Sequence, residues 1–187
     1  MKEKIMEASI HLFDEKGFME TSVQEIVEYI GVTKGTFYYY YKSKEELLRD
    51  INHNYIDNLV KKQEAILKDG NKDCTSKLQE IIYMVIANIK PYKKNARIFF
   101  REMRHLSESH LEEIKAKRNL FRKNYQKLIE EGATLGVFNQ NFSPDILTFG
   151  ILGITNWSYY WYNPEGEVSE KELSEIFVDL ILNGIKK

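Results

Sequence analysis

The segment from Thr21 to Leu48 constrains this chain more than any other, because it combines two helix-starting signals with a glycine turn. Ser22 followed by Glu25 has the spacing of a capping box, in which each residue satisfies a backbone N–H of the other. Thr33 is a second N-cap residue, and Gly31 lies between the two helices that these caps predict. The segment therefore predicts a helix-turn-helix.

Four consecutive tyrosines end in Tyr41. Adjacent residues of an α-helix point about 100° apart, so one buried face cannot accept all four rings. Phe37 and Tyr41, at positions i and i+4, are the pair expected to face a core. Tyr39 and Tyr40 are then expected at the surface beside lysines, and Tyr38 either joins them or packs on the first helix.

In a helix-turn-helix, the second helix enters the major groove of DNA and its first residues meet base edges. Lysine and tyrosine side chains suit phosphate oxygens, a threonine offers base edges a hydroxyl and a methyl group, and Gly35 permits close approach of the backbone. The alternative is a tyrosine-rich surface helix of an unrelated bundle, which would not require paired caps around a glycine turn.

The same segment resembles the DNA-binding domain of the TetR family of transcriptional repressors. The positions that carry the resemblance are Thr21-Ser22, Ile26, Gly31-Val32-Thr33, Gly35, Phe37-Tyr38, Tyr40-Tyr41, Ser43-Lys44-Glu45 and Leu47. Tyr29 and Ile30 depart from the small or aliphatic residues usual there. The resemblance implies DNA contacts by Thr33, Lys34, Gly35, Thr36, Tyr38, Tyr39, Tyr40 and Lys44.

Apolar residues at helical spacing recur along the whole chain, and strand-like alternation is nearly absent, so we predict an all-α protein. Nine helices resemble the TetR layout, at about 2–16, 22–30, 33–40, 44–68, 75–89, 91–106, 107–131, 144–162 and 169–183. We divide the chain into a three-helix DNA-binding domain, residues 1–46, and a ligand-binding and dimerisation domain, residues 47–187. The helix 44–68 is the predicted mechanical link.

Composition excludes several other classes of protein. A formal net charge of -1 gives no chain-wide attraction to nucleic acid, so DNA binding must rest on a local patch. The single cysteine, Cys74, suits a reducing cytoplasm. The longest apolar stretch, 146–157, is too short to span a bilayer, so we expect no membrane partner. Without a phosphate loop, metal-ligand cluster or nucleophile motif, we expect no enzyme, cofactor or metal.

Residues 87–127 carry more basic than acidic side chains, interleaved with aromatic ones. This is either a solvated helix face or the mouth of a pocket for an anion, because arginine suits phosphate and carboxylate. Residues 156–166, NWSYYWYNPEG, resemble a signature of TetR repressors that respond to acyl-CoA thioesters, although tryptophans near a turn can also simply close a core. The candidate effector-binding residues are Phe99, Met103, Phe121, Tyr125, Asn156, Trp157, Tyr160, Arg97 and Arg101.

One helix-turn-helix reads only a short half-site, so we expect a homodimer on double-stranded operator DNA. The resemblance implies a four-helix bundle made by the last two helices of each copy. The candidate apolar contacts are Leu147, Ile151, Ile154, Ile176, Phe177, Leu180 and Ile181. The predicted function is a repressor that a small molecule, such as a long-chain acyl-CoA or related lipid, releases from DNA. The alternatives are a repressor of an efflux gene that senses a drug or other hydrophobic ligand, and an activator.

Overall fold

The computed structural model describes residues 1–185, and these form nine α-helices, one short 3-10 helix at Met103–His105, and no strand. The α-helices are α1 Lys2–Lys16, α2 Val23–Tyr29, α3 Lys34–Tyr40, α4 Lys44–Lys68, α5 Cys74–Ala87, α6 Ile89–Arg101, α7 Glu108–Thr134, α8 Pro144–Trp161 and α9 Glu170–Ile185. The predicted all-α, nine-helix architecture is confirmed. Among the described helices, none is both long and apolar enough to cross a membrane.

The chain forms two compact units, and each contains two stretches of sequence. The first unit is Met1–Asp57 with Tyr92–Ala116, and the second is Asn58–Pro91 with the chain from Lys117 onward. These units are defined by compactness, whereas the predicted boundary after residue 46 divides the chain by function, and that boundary stays a prediction. The last two residues of the predicted domain 47–187 lie outside the described residues.

The core of the first unit follows the predicted apolar spacing. Ile5, Ala8, Leu12 and Phe13 of α1 are all buried. Gly17 ends α1 with φ 91° and ψ 159°. These angles differ from those of a left-handed helical cap, but they also belong to a region that favours glycine.

The structure corrects the predicted helix at 91–106. The helix ends at Arg101, and Tyr92 near its start has non-helical angles of φ -126° and ψ 21°. Pro91 lacks a backbone N–H and breaks the helical hydrogen-bond ladder there. The sequence could not reveal the 3-10 helix that follows, because α- and 3-10 helices both bring residues i and i+3 onto one face.

In the second unit, α5 packs against α8 and α9. Ile86, Ile89, Tyr162 and Leu173 form one buried cluster there. The predicted helix 107–131 extends further in the structure, so that Gly132 lies inside α7 and is buried. A Cβ atom added to Gly132 would overlap the ring of Phe138, so this glycine permits close packing.

Candidate nucleic-acid interface

The capping box before α2 is present as predicted. The Ser22 hydroxyl accepts a hydrogen bond from the Glu25 N–H at 3.1 Å, and the Glu25 carboxylate accepts one from the Ser22 N–H at 2.8 Å. Lys16 of α1 pairs with the same carboxylate at 2.9 Å. The hydrogen bond from the Ser22 N–H, followed by that from Lys16, lowers the pKa of Glu25 to about 2. These contacts fix the direction in which α2 begins.

The turn between α2 and α3 depends on Gly31, whose φ of 71° lies in the left-handed region. The Val32 N–H then donates to the carbonyl oxygen of Val27 at 2.9 Å, which closes the end of α2. Thr33 caps α3, and its hydroxyl accepts a hydrogen bond from the Thr36 N–H at 3.4 Å. Local hydrogen bonds therefore set where α3 begins.

Two aromatic residues hold α3 against the core of the first unit. Phe37 and Tyr41 are 0% and 1% exposed, and their ring centroids lie 5.8 Å apart, which confirms the predicted inward pair. Tyr41 ends the helix in an extended conformation. Burial, with smaller effects of Asp50 and Glu46, raises the pKa of Tyr41 to about 12.

The rest of α3 presents a surface of polar and aromatic groups. Tyr39 is 81% exposed and Tyr38 is 53% exposed, while Tyr40 is partly buried and meets Tyr39 edge to face at 4.9 Å. Thr33, Lys34 and Gly35 are also exposed, and Thr36 is partly so. These seven predicted DNA-contact residues, at 33–36 and 38–40, therefore lie together on and just before one short helix.

The eighth predicted DNA-contact residue, Lys44, has partners inside the protein. Its ammonium group donates to the carbonyl oxygens of Phe18 and Thr21, both at 2.6 Å. Burial lowers its pKa. A phosphate contact by Lys44 would add a partner to an ammonium group that already donates to these two oxygens.

The charge of this surface differs from that of the whole chain. Residues 33–44 contain three lysines and no acidic residue, whereas the whole chain has a formal net charge of -1. Lys42 is exposed just after α3 and is absent from the predicted set. Its position next to the tyrosine run was the signal that could have identified it. A positive surface of this kind attracts phosphate oxygens.

The predicted effector-binding residues in the first unit already have protein partners. The Arg97 guanidinium donates to the Asp14 carboxylate at 2.7 Å, and Arg101 donates to the backbone carbonyl of Asp14 at 3.1 Å. Phe99 is buried against Tyr55, with ring centroids 5.1 Å apart, and Met103 is partly buried. An anion that binds Arg97 would compete with the Asp14 carboxylate, whereas Arg101 is exposed and keeps other N–H groups for an anion.

The predicted effector-binding residues in the second unit lie in two different environments. Phe121 and Tyr125 are buried and meet edge to face at 5.4 Å, and burial raises the pKa of Tyr125. Trp157 and Tyr160 are 59% and 65% exposed, and their rings stack at 4.9 Å. Asn156 is partly buried. The first pair contributes to the core, and the second pair contributes to the surface.

A groove of about 680 Å³ between α5 and α9 lies outside the predicted site. Tyr83 and Ser174 line it together with the carboxylates of Glu80, Glu175 and Asp179. None of the predicted effector-binding residues lines this groove. Sequence patterns could not indicate this groove, because its two walls are far apart along the chain.

Helices α8 and α9 expose large apolar side chains. The exposed residues on α8 are Ile146, Phe149, Trp157, Tyr160 and Trp161, and those on α9 are Ile176 and Leu180. Among the predicted dimer contacts, Ile151 and Ile181 are buried within the subunit instead. Leu147, Ile154 and Phe177 are partly buried.

Over residues 1–185, no group of three or more His, Cys, Asp or Glu side chains is placed so that it could hold a metal ion.

Comparison with protein families gives two matches that cover most of the chain. Residues 5–51 match the model described as bacterial regulatory proteins of the tetR family. Residues 71–185 match the model described as the C-terminal domain of tetracyclin repressor-like proteins. The helix-turn-helix lies inside the first match, and α5, α8 and α9 lie inside the second.

Individual relatives agree with these family matches. The HTH-type transcriptional repressor KstR2 of Mycolicibacterium smegmatis is 23% identical over 189 residues, which cover 98% of this chain and 90% of the relative. The structure of the ketosteroid transcriptional regulator KstR2 of Mycobacterium tuberculosis has a TM-score of 0.90 and 23% identity, and the match covers 100% of this chain and 95% of that one. The structure of AibR in complex with isovaleryl coenzyme A and operator DNA has a TM-score of 0.86 and 20% identity, with 96% of each chain covered. At these identities, the structural matches show a shared fold.

Proposed function

The chain belongs to the TetR family of transcriptional regulators, and we propose that it is a homodimeric repressor that a small molecule releases from operator DNA. The observation that carries the proposal is the exposed face of α3. That face bears Lys34, Tyr38 and Tyr39, and it is held in place by the buried pair Phe37 and Tyr41. The protein would act in the cytoplasm, where bacterial DNA is found.

In the proposed complex, α3 enters the major groove. Lys34 and Tyr39 bind phosphate oxygens, and Thr36 meets a base edge close to the exposed backbone of Gly35. Thr33, Tyr38 and Tyr40 complete the contact surface. Two copies place their α3 helices in successive major grooves, about 34 Å apart, so the operator has two half-sites.

The exposed apolar residues of α8 support the homodimer. Ile146, Phe149, Gly153, Trp157 and Tyr160 follow one another at intervals of three or four residues, so they form one stripe along the helix. Exposed apolar stripes of this size mark protein-binding surfaces. A second copy would cover the stripe with its own α8 and α9, including Ile176 and Leu180.

We propose a long-chain acyl-CoA or related lipid as the effector. The resemblance of residues 156–166 to the signature of acyl-CoA-responsive repressors supports this. The complex of AibR with isovaleryl coenzyme A and operator DNA supports the acyl-CoA class alone, because isovaleryl is a short acyl group and that complex also contains the operator. The protein can adopt conformations that fit the operator well or poorly. The effector lowers DNA affinity only if it binds the poorly fitting conformation more tightly than the other.

A second candidate effector is a hydrophobic cation, which would make the protein a drug-sensing repressor of an efflux gene. The groove between α5 and α9 supports this reading, because three carboxylates, those of Glu80, Glu175 and Asp179, line it beside the exposed ring of Tyr83. Two of them already have a cationic partner, since Glu80 pairs with Lys72, and Glu175 pairs with Lys171, which also lines the groove. Carboxylates and an aromatic ring attract a cation, whereas a CoA thioester needs cationic partners.

The DNA-binding proposal is tested with a duplex that the wild-type protein selects from a random-sequence library. Tyr39→Ala should weaken binding to that duplex about tenfold or more in a gel-shift titration at fixed salt, because a hydrogen bond to a charged phosphate contributes roughly 1.5–3 kcal/mol. Sedimentation velocity should show an unchanged dimer. Equal affinities for the two proteins would contradict the assignment of α3.

Native mass spectrometry of the protein purified from cells distinguishes the two candidate effectors. A copurified thioester or lipid, followed by release of DNA on adding that compound, would support the first candidate. Release of DNA by a lipophilic cation that does not intercalate, such as tetraphenylphosphonium, and not by an acyl-CoA, would support the second.

A further inference from the structure

Lys44 is the first residue of α4, and its side chain turns back toward the loop between α1 and α2. Three carbonyl oxygens surround its ammonium group, those of Phe18 and Thr21 at 2.6 Å and that of Met19 at 3.4 Å. The ammonium nitrogen also lies 4.3 Å from the centre of the Phe18 ring. An ammonium group has three N–H bonds, so these carbonyl oxygens can use all of them.

The partners of Lys44 lie just before the helix-turn-helix, and Lys44 itself lies just after it. Thr21 immediately precedes Ser22, the N-cap of α2, and Lys44 immediately follows Ser43, whose hydroxyl caps α4 by accepting the Glu46 N–H at 3.1 Å. A single side chain therefore joins the two ends of the segment 22–43. That segment contains the whole helix-turn-helix, so the contact closes it into a loop.

Phe18 is itself held firmly. Its ring meets Phe13 edge to face at 5.3 Å and stacks on His105 at 5.5 Å. Phe13 is a fully buried core residue of α1. Lys44 therefore attaches the end of the helix-turn-helix to a fixed point, which keeps α3 in one orientation relative to α1.

We infer that Lys44 is a positioning residue, which sets the orientation of α3 for DNA through the carbonyl oxygens of Phe18 and Thr21 and makes no phosphate contact of its own. The inference rests on the proposed DNA-binding function and replaces the direct contact that the family resemblance implies. A phosphate would have to compete with these three carbonyl oxygens for the N–H groups of Lys44.

The salt dependence of DNA binding distinguishes the two roles. Each phosphate that a lysine neutralises adds about 0.9 to the magnitude of the slope of log K against log salt concentration. The experiment compares wild-type protein, Lys44→Met and Lys34→Met on the duplex that the wild type selects. The matched control, Lys34→Met, should reduce the magnitude of the slope by about 0.9, because Lys34 is exposed on α3.

For Lys44→Met, the inference predicts a loss of affinity of about tenfold with an unchanged slope, measured at a temperature where circular dichroism shows full folding. A slope reduced by about 0.9 would instead identify a phosphate contact and overturn the inference. Unchanged affinity with a lower melting temperature would also overturn it, because Lys44 would then only stabilise the fold.

Lys44→Arg keeps the experiment decisive if Lys44→Met does not fold. Arginine binds phosphate at least as well as lysine does, but its planar guanidinium does not match three converging carbonyl oxygens. The inference predicts weaker DNA binding by Lys44→Arg, and retained affinity would overturn it. If wild-type protein selects no duplex at all, the proposed DNA-binding function fails first, and the two failures are therefore distinguishable.

Discussion

Two surfaces of this protein expose aromatic side chains, and the residues around those side chains are the basis for proposing a different function for each surface. On α3, Tyr38 and Tyr39 stand beside lysines, a threonine and a glycine. On α8, Phe149 and Trp157 stand in a stripe of other large apolar residues. Hydroxyl and ammonium groups suit a polyanion, whereas an apolar stripe suits the apolar surface of a second protein. Exposure of aromatics alone would not have distinguished DNA from a partner subunit.

The two surfaces also differ in how they are supported. Helix α3 has seven residues, which is too short to be stable alone, so the Thr33 cap, Gly31, Phe37 and Tyr41 must hold it. Helix α8 has 18 residues and packs against α5 and α9 within its unit. Substitutions of the buried residues that hold a helix in place should therefore reduce folding stability more at α3. Substitutions of exposed residues should weaken dimer association more at α8.

The largest expected effect comes from Phe37→Ala. Removing this fully buried ring should cost about 3–5 kcal/mol and release α3 from the core of the first unit. Hydrogen exchange of amides in α1–α3 measures the loss of protection, because both tryptophans lie in α8 and fluorescence reports on another unit. The control Tyr39→Ala should change stability by less than about 0.5 kcal/mol. Equal loss of protection in both variants would contradict this account.

Trp157→Ala should have the next largest effect, on association rather than folding. A tryptophan that a second copy buries typically contributes about 2 kcal/mol or more, so the dimer dissociation constant should rise about 30-fold. Sedimentation equilibrium measures this change. Tyr39→Ala is again the control and should leave the dissociation constant unaltered. If Tyr39→Ala also dissociates the dimer, the division between the two surfaces is wrong.

Gly153→Ala tests the α8 stripe more finely. A Cβ atom at this helical position would meet nothing within 4 Å in the subunit, so alanine should favour the isolated helix by about 1 kcal/mol. We nevertheless expect a weaker dimer in sedimentation equilibrium, because the added methyl group would separate two closely packed helices. A higher melting temperature with unchanged association would show that Gly153 faces solvent in the dimer.

The smallest expected effect is on pH dependence. The pKa of Glu25 lies at about 2 in the folded protein, below its ordinary value of 4.5. Its contribution to stability is therefore present above pH 4.5 and is lost as the pH falls toward about 2. Thermal unfolding should show a flatter pH dependence over this range for Glu25→Gln than for wild-type protein. Parallel curves would indicate that the capping box does not depend on the carboxylate charge.

The sequence predicted most of the fold but less of the candidate effector site. The bounds of α1, the capping box at Ser22 and the inward pair Phe37 and Tyr41 are all confirmed. These features depend on residues three to five positions apart, whose geometry a helix fixes. The effector-binding residues were chosen by residue type alone, and the structure places Phe121 and Tyr125 in a core and Trp157 and Tyr160 at a surface.

The sequence by itself determined the family, the helix-turn-helix and the residues that α3 can present to DNA, because caps, glycine turns and helical spacing are local properties. Only the tertiary structure decided where the long charged side chains go. Arg97 reaches Asp14 across 83 positions, and Lys44 reaches the loop before α2 across 23. Such side chains have many rotamers, and their partners are chosen by the packing of distant segments. The same packing buries Ile151 and Ile181 while leaving Ile176 and Leu180 exposed.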